Sequence, residues 1–304
     1  MRLTITCAAL FFLLACTAND DSGSTMDVKT IDLSGFSSEK PADPLHLLFI
    51  HHSCGGQLLA DNGEENGDNC IYRTHPNGGG LRQLLEKNNY IVHEASYTSL
   101  IGDKTDICHW NQKFKTQMEK ILKCNNQDQF FSDDTKNKIV MFKSCYPNNW
   151  IEADGIEPGN PDSCGQTTAN FKASYRSLLQ YFEKQPDTLF VVLTAPPLAE
   201  PKTSIKTFLK DVLKRDDAAG KVGVRARSFN NWLKDNENGW LKDYKLKNVV
   251  VYDYYDVLTD HGKSNWSMYP TGNGRDSHPS SEGNAKAAKD LAPFINKAVQ
   301  RMGL

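Results

Sequence analysis

Five short apolar runs, at residues 45–50, 90–95, 138–144, 188–194 and 248–253, alternate with stretches whose apolar residues recur at helical spacing. Runs this short, apolar at successive positions, mark strands covered on both faces. The helical stretches include 81–87, with Leu81, Leu84 and Leu85 on one face, a segment near 114–122, and 167–183, with Phe171, Tyr175, Leu178, Leu179 and Phe182. Two more cover 222–233 and 281–301, the last carrying Ala285, Ala288, Leu291, Ile295 and Val299 at helical spacing. Strands alternating with helices imply an α/β fold, a parallel sheet with helices on both faces. Sites in such sheets form at the carboxyl ends of the strands.

The ends of the chain read differently. Arg2 precedes an apolar segment from Leu3 to Leu14 that is too short to span a membrane. Leu13-Leu14-Ala15-Cys16 resembles the lipobox of bacterial lipoproteins. That resemblance implies cleavage before Cys16, a lipid on its sulfur, and display on the cell envelope. Residues 1–15 are thus expected to be a signal peptide. Residues 16–43, rich in Ser, Asp, Gly and Thr, are expected to be a flexible tether, and 44–304 a single domain. A net charge of −2 disfavours a nucleic-acid partner, which calls for a basic face.

Eight cysteines occur, of which Cys7 falls in the leader and Cys16 would carry lipid. The six that remain suit an oxidising compartment. Pairing nearest neighbours predicts Cys54 with Cys70, Cys108 with Cys124 and Cys145 with Cys164. Buried free thiols are the alternative. No Cys-x-x-Cys is present to suggest a metal. His51 and His52 could join His75 or His109 around an ion, but adjacent strand residues point to opposite faces, so no metal site is assigned.

Three strand ends carry polar chemistry. The first run breaks into His51-His52-Ser53-Cys54-Gly55-Gly56, where two glycines mark a sharp turn with the backbone approaching something closely. A serine there suits a nucleophile, or a cap on the following helix. The third run ends in Ser144-Cys145-Tyr146-Pro147-Asn148-Asn149. Its asparagines could donate to an oxyanion, or simply build a turn after Pro147. After the fifth run, a Gly-rich loop places Asp276 and His278 just before the last helix, which Ser280 or Ser281 can cap. An oriented His beside an Asp suits a general base.

Together these stretches resemble the SGNH hydrolases, or GDSL-type esterases. That resemblance implies a flavodoxin-like three-layer sandwich with a five-stranded parallel sheet. It implies Ser53 as nucleophile, His278 as base and Asp276 as the acid that orients it. Asp276 stands two residues before His278 where the family usually spaces three, so Asp253 and Asp256 are fallback candidates. The oxyanion hole would be drawn from the N–H of Cys54, from Gly102, and from Asn148 or Asn149. The blocks depart from the family pattern: neither Gly-Asp-Ser nor Gly-x-Asn-Asp occurs at the matching positions.

The expected activity is a serine esterase that deacetylates carbohydrate, without a cofactor. Trp110, Trp150, Tyr146, Trp266 and Tyr269 lie near the loops concerned and could stack on sugar rings. A non-catalytic surface lipoprotein that binds glycan or protein, and an acyltransferase sharing the acyl-enzyme step, are the alternatives.

Overall fold

The computed structural model describes residues 28–202 and 218–304; the leader and Cys16 lie outside them. At the centre is β1 (Leu45–Ile50), paired in parallel with β2 (Tyr90–Ala95) on one side and β3 (Ile139–Lys143) on the other. Beyond β3 come β4 (Leu189–Leu193) and β5 (Val249–Tyr252), again parallel. The order β2-β1-β3-β4-β5 is the flavodoxin-like one.

Period-two alternation builds the layers. Leu47, Phe49, Met141, Val191 and Val250 face one side of the sheet, where α1 (Ser53–Leu59), α2 (Leu81–Lys87) and α7 (Ser281–Met302) cover them. Leu48, Ile50, Val140, Phe142 and Val192 face the other, under α3 (Ile107–Lys123), α4 (Thr168–Phe182) and α5 (Ala218–Lys234). A short α6 (Tyr254–Leu258) follows β5. Because every inner strand residue meets a helix, the strands read as unbroken apolar runs, and this is why their positions were visible in the sequence.

Four expectations need correction. Residues 28–43 are not a loose tether: Leu33 is buried in the core, Ile31 and Phe36 pack against it, and the Ser38 carbonyl accepts from Asn296. Three apolar side chains spread through a polar stretch are enough to anchor it. Residues 61–80, polar and rich in Gly and Asn, read in the sequence as a loop, but Asp61–Asn62, Asn66–Asp68 and Ile71–His75 form a small sheet. Gly55 and Gly56 do not turn the chain but lie inside α1. They are required by close approach, because a Cβ on Gly55 would meet the His51 side chain at 2.4 Å and one on Gly56 the Cys70 carbonyl at 1.9 Å.

The fourth correction is the cysteine pairing. Among the described residues, a disulfide joins Cys108 with Cys164, while Cys54, Cys70, Cys124 and Cys145 are free thiols. Cys108 and Cys124 sit at opposite ends of α3, about 24 Å apart along a straight helix. The start of α3 instead meets the loop that leads into α4. Cys124 is buried, with its thiol donating to the Gln127 carbonyl at 3.0 Å.

Candidate active site

In this strand order the chain moves from β1 to β2 in one direction and then back past β1 to β3. The crevice at that reversal lies between the carboxyl ends of β1 and β3. Ser53 follows β1 and Cys145 follows β3, so the two meet there.

Ser53 is the first residue of α1. Its Oγ lies 3.1 Å from His278 Nε2, across 225 residues of chain. His278 Nδ1 lies 2.7 Å from Asp276 Oδ1, which also accepts the His278 backbone N–H at 3.0 Å. With the Nδ1 proton held by the carboxylate, Nε2 is the acceptor that faces the serine hydroxyl. Partial burial raises the Asp276 carboxyl, but the hydrogen bonds from the His278 backbone and ring outweigh it and hold the group below its ordinary range.

The two-residue spacing works because of the local backbone. Asp276–Pro279 is a short strand paired with Pro270–Thr271. Gly272, Asn273 and Gly274 between them all take positive φ. Asp276 folds back on the second amide after it, as Asx turns do, and this carries the carboxylate to the ring. The Ser277 hydroxyl accepts from the Ala199 N–H at 2.9 Å and ties the strand down. Ser280, not Ser281, caps α7 by accepting from the Gly283 N–H. Tyr146 sets its ring edge-on to His278, with centroids 5.0 Å apart.

The fallback acids lie elsewhere. Asp253 pairs with Lys234 at 2.5 Å, and Asp256 with Arg227 at 2.6 Å, beyond the end of β5.

Of the oxyanion candidates, three are committed to other partners. The Gly102 N–H donates to Ser99 Oγ at 2.7 Å, and its carbonyl faces His52 Nε2 at 2.9 Å. Asn148 donates to Asp106 at 2.9 Å and accepts from the Ile107 N–H, fastening the strand end to the start of α3. Asn149 donates to the Ala195 and Pro196 carbonyls and accepts from Asn230. Both amides are buried ties between distant loops, and the expected oxyanion role is corrected for both and for Gly102. The Cys54 N–H, the fourth candidate, is likewise engaged, by the Cys145 sulfur.

That sulfur is the feature sequence reasoning missed. Cys145 Sγ lies 3.5 Å from Ser53 Oγ, 3.4 Å from Cys54 Sγ and 3.8 Å from Lys143 Nζ. Lys143 is fully buried. The hydrogen bond that Cys145 shares with the Cys54 thiol, opposed by burial and aided by Lys143, holds the Cys145 thiol well below its ordinary range. Burial pushes Cys54 well above it. The strand order itself was the available signal, since Ile50 and Phe142 are register partners and the residues just past them must adjoin.

The two histidines before Ser53 are structural. His51 is buried and pairs with Glu94 at 2.9 Å, and Glu94 in turn meets Arg82. His52 stacks on Tyr97 at a centroid distance of 3.6 Å. Burial lowers His51 to about 3 and His52 to about 4, so both are neutral near pH 7. Neither joins His75 or His109. The set Cys108, His109 and Cys164 is close enough to hold an ion, but its two sulfurs are spent on the disulfide.

Tyr97 also opens onto a cavity of about 890 Å³ whose walls include Leu100, Asp103, Gln112 and Gln117. Among the aromatics, Trp110 is buried, with its indole N–H on Ser144 Oγ, which corrects its expected place in a sugar site. Trp150 is 43% exposed. Trp266 and Tyr269 pack against Gly223 and Gly283.

No family model and no curated protein matches the sequence. Among solved structures, the chain is similar to a provisional acylhydrolase from Bacteroides fragilis, at TM-score 0.41 and 11% identity over 87% of this chain and 92% of that one. It is also similar to a carbohydrate esterase family 2 enzyme from Corynascus (Myceliophthora fergusii), at TM-score 0.41 and 14% identity over 85% and 68%. A third is a catalytic mutant of an acetylxylan esterase from Geobacillus stearothermophilus, at TM-score 0.40 and 15% identity over 85% and 96%. Likeness at this level carries nothing about chemistry.

Proposed function

We propose that the protein is a serine ester hydrolase. The observation that carries this is the chain of contacts from Asp276 through His278 to Ser53. Ser53 and the Asp276–His278 pair come from distant parts of the sequence, and each contact stands at the distance that proton transfer needs. Ser53 attacks the acyl carbonyl while His278 Nε2 takes its proton. Asp276 holds the ring in the required tautomer and balances the imidazolium. His278 then protonates the leaving alcohol, and water repeats the sequence to free the acid.

For the substrate we favour an acetylated carbohydrate. Tyr97, 38% exposed, offers a ring face directly beside His52, and the adjoining cavity supplies carboxylate and carboxamide groups suited to hydroxyls. Two measurements test the reading. A fluorophosphonate should label Ser53 covalently, and the protein should release acetate from an acetylated oligosaccharide. A chain that neither takes the label nor turns over nitrophenyl acetate is not an esterase.

A further inference from the structure

Outside the triad, the molecule's most unusual chemistry is the pair of thiols behind Ser53. Cys54 and Cys145 come from different strand ends, yet their sulfurs are 3.4 Å apart. A disulfide sulfur pair stands at roughly 2.05 Å, so bonding needs only a closure of somewhat over an ångström. The two thiols are unequal. Cys54 is fully buried, whereas Cys145 is partly exposed and has the buried Lys143 ammonium 3.8 Å from its sulfur. Among the described residues, each of the other two free thiols has a different neighbour: Cys124 faces the Gln127 carbonyl and Cys70 the Tyr72 hydroxyl.

We infer that Cys145 and Cys54 form a reversible thiol–disulfide site, open to small-molecule disulfides such as oxidised glutathione, that switches off the adjoining serine. Cys145 is the attacking sulfur, since its residue is the less buried of the two and has the Lys143 ammonium beside it. As a thiolate it attacks the glutathione disulfide; a bond forms between Cys145 and one glutathione sulfur, and the second glutathione leaves as thiolate. Cys54 then gives up its proton, which the departed glutathione takes up. Its sulfur attacks Cys145 Sγ and expels the other glutathione, which is protonated by water. The pair has lost two electrons, and one glutathione disulfide has become two thiols.

The consequence for Ser53 follows from position. Cys54 is the residue next to Ser53. Drawing its side chain toward Cys145 shifts the backbone at Ser53 and takes the Cys145 sulfur from its place beside Ser53 Oγ. Displacements of about 1 Å in such a site cost on the order of a hundredfold in rate. The effect on turnover rests on the serine-esterase reading; the covalent link does not.

The test uses the full chain, reduced and then treated with oxidised glutathione. Non-reducing peptide mapping is expected to find a peptide pair joined through Cys54 and Cys145, and dithiothreitol to remove it. Esterase turnover should fall tenfold or more on oxidation and recover on reduction, while a Cys145→Ser chain should keep whatever turnover it has under the same oxidant. Unreacted thiols, a persistent glutathione adduct on Cys145, or a link to Cys70 instead would overturn the site. A Cys54 to Cys145 link with unchanged turnover would overturn the switch. The link in a chain that never turns over an ester would uphold the thiol pair and sink the esterase reading.

Discussion

The strand ends after β1 and β3 look alike in sequence, each an apolar run breaking into a polar cluster, but they differ in the fold. After β3, Asn148 and Asn149 are buried, and their donors and acceptors are taken by loop carbonyls, a carboxylate and other side chains. After β1, Ser53 is partly exposed and joined to a histidine that faces solvent on one side. Polar residues whose partners are all internal hold loops in place. Polar residues left half open, with a proton acceptor in reach, can do chemistry. The difference is one of completeness of pairing, and residue type alone does not reveal it.

Breaking the open side should have the largest effect. Ser53→Ala and His278→Ala are each expected to lower turnover by roughly a thousandfold or more. The double variant should be no worse than either single one, because the two groups act as a unit. Steady-state kinetics on nitrophenyl acetate checks this, and additive losses would separate the residues. Unfolding midpoints should barely move.

Asp276→Asn should come next, at on the order of a hundredfold in turnover. The amide still reaches the ring but can present its NH₂ and stabilise the wrong tautomer. An unchanged rate would show that another group orients His278.

The closed side predicts the reverse pattern. Asn149→Ala leaves the Ala195 and Pro196 carbonyls and the Asn230 amide without their partner, and should cost about 2 kcal/mol of stability. Turnover per folded molecule should stay within a few-fold of the unaltered chain. Urea melts paired with active-site titration separate the two quantities. A large rate loss without destabilisation would return Asn149 to the oxyanion hole.

The smallest effect concerns the histidines behind Ser53. Burial lowers His51 to about 3 and His52 to about 4, whereas unfolded histidine titrates near 6.5. Between those values the unfolded chain binds more protons than the folded one. Their contribution is therefore complete above about pH 6.5 and is lost as pH falls toward 4. Melting temperature should decline through that window, and His52→Gln should shallow the decline. A variant with the same slope as the unaltered chain would show that His52 does not contribute.

Much was determined by the sequence itself. Strand and helix positions follow from hydrophobic period, because burial on two faces and burial on one stripe leave different spacings. Ser53, His278 and Asp276 could be nominated from their places at strand and loop ends. The fate of similar polar residues could not. Asn148, Asn149 and Gly102 were turned into structural ties by partners more than 40 residues away for each asparagine, and by the tight packing of Gly102 on Ser96. The cysteine pairing was decided by helix length and helix packing, which set Cys108 against Cys164 and left Cys124 at the far end of α3. The meeting of Cys54 with Cys145 came from strand order. A sequence records which groups can pair, but distance through space selects among them, and that distance exists only once the sheet is assembled.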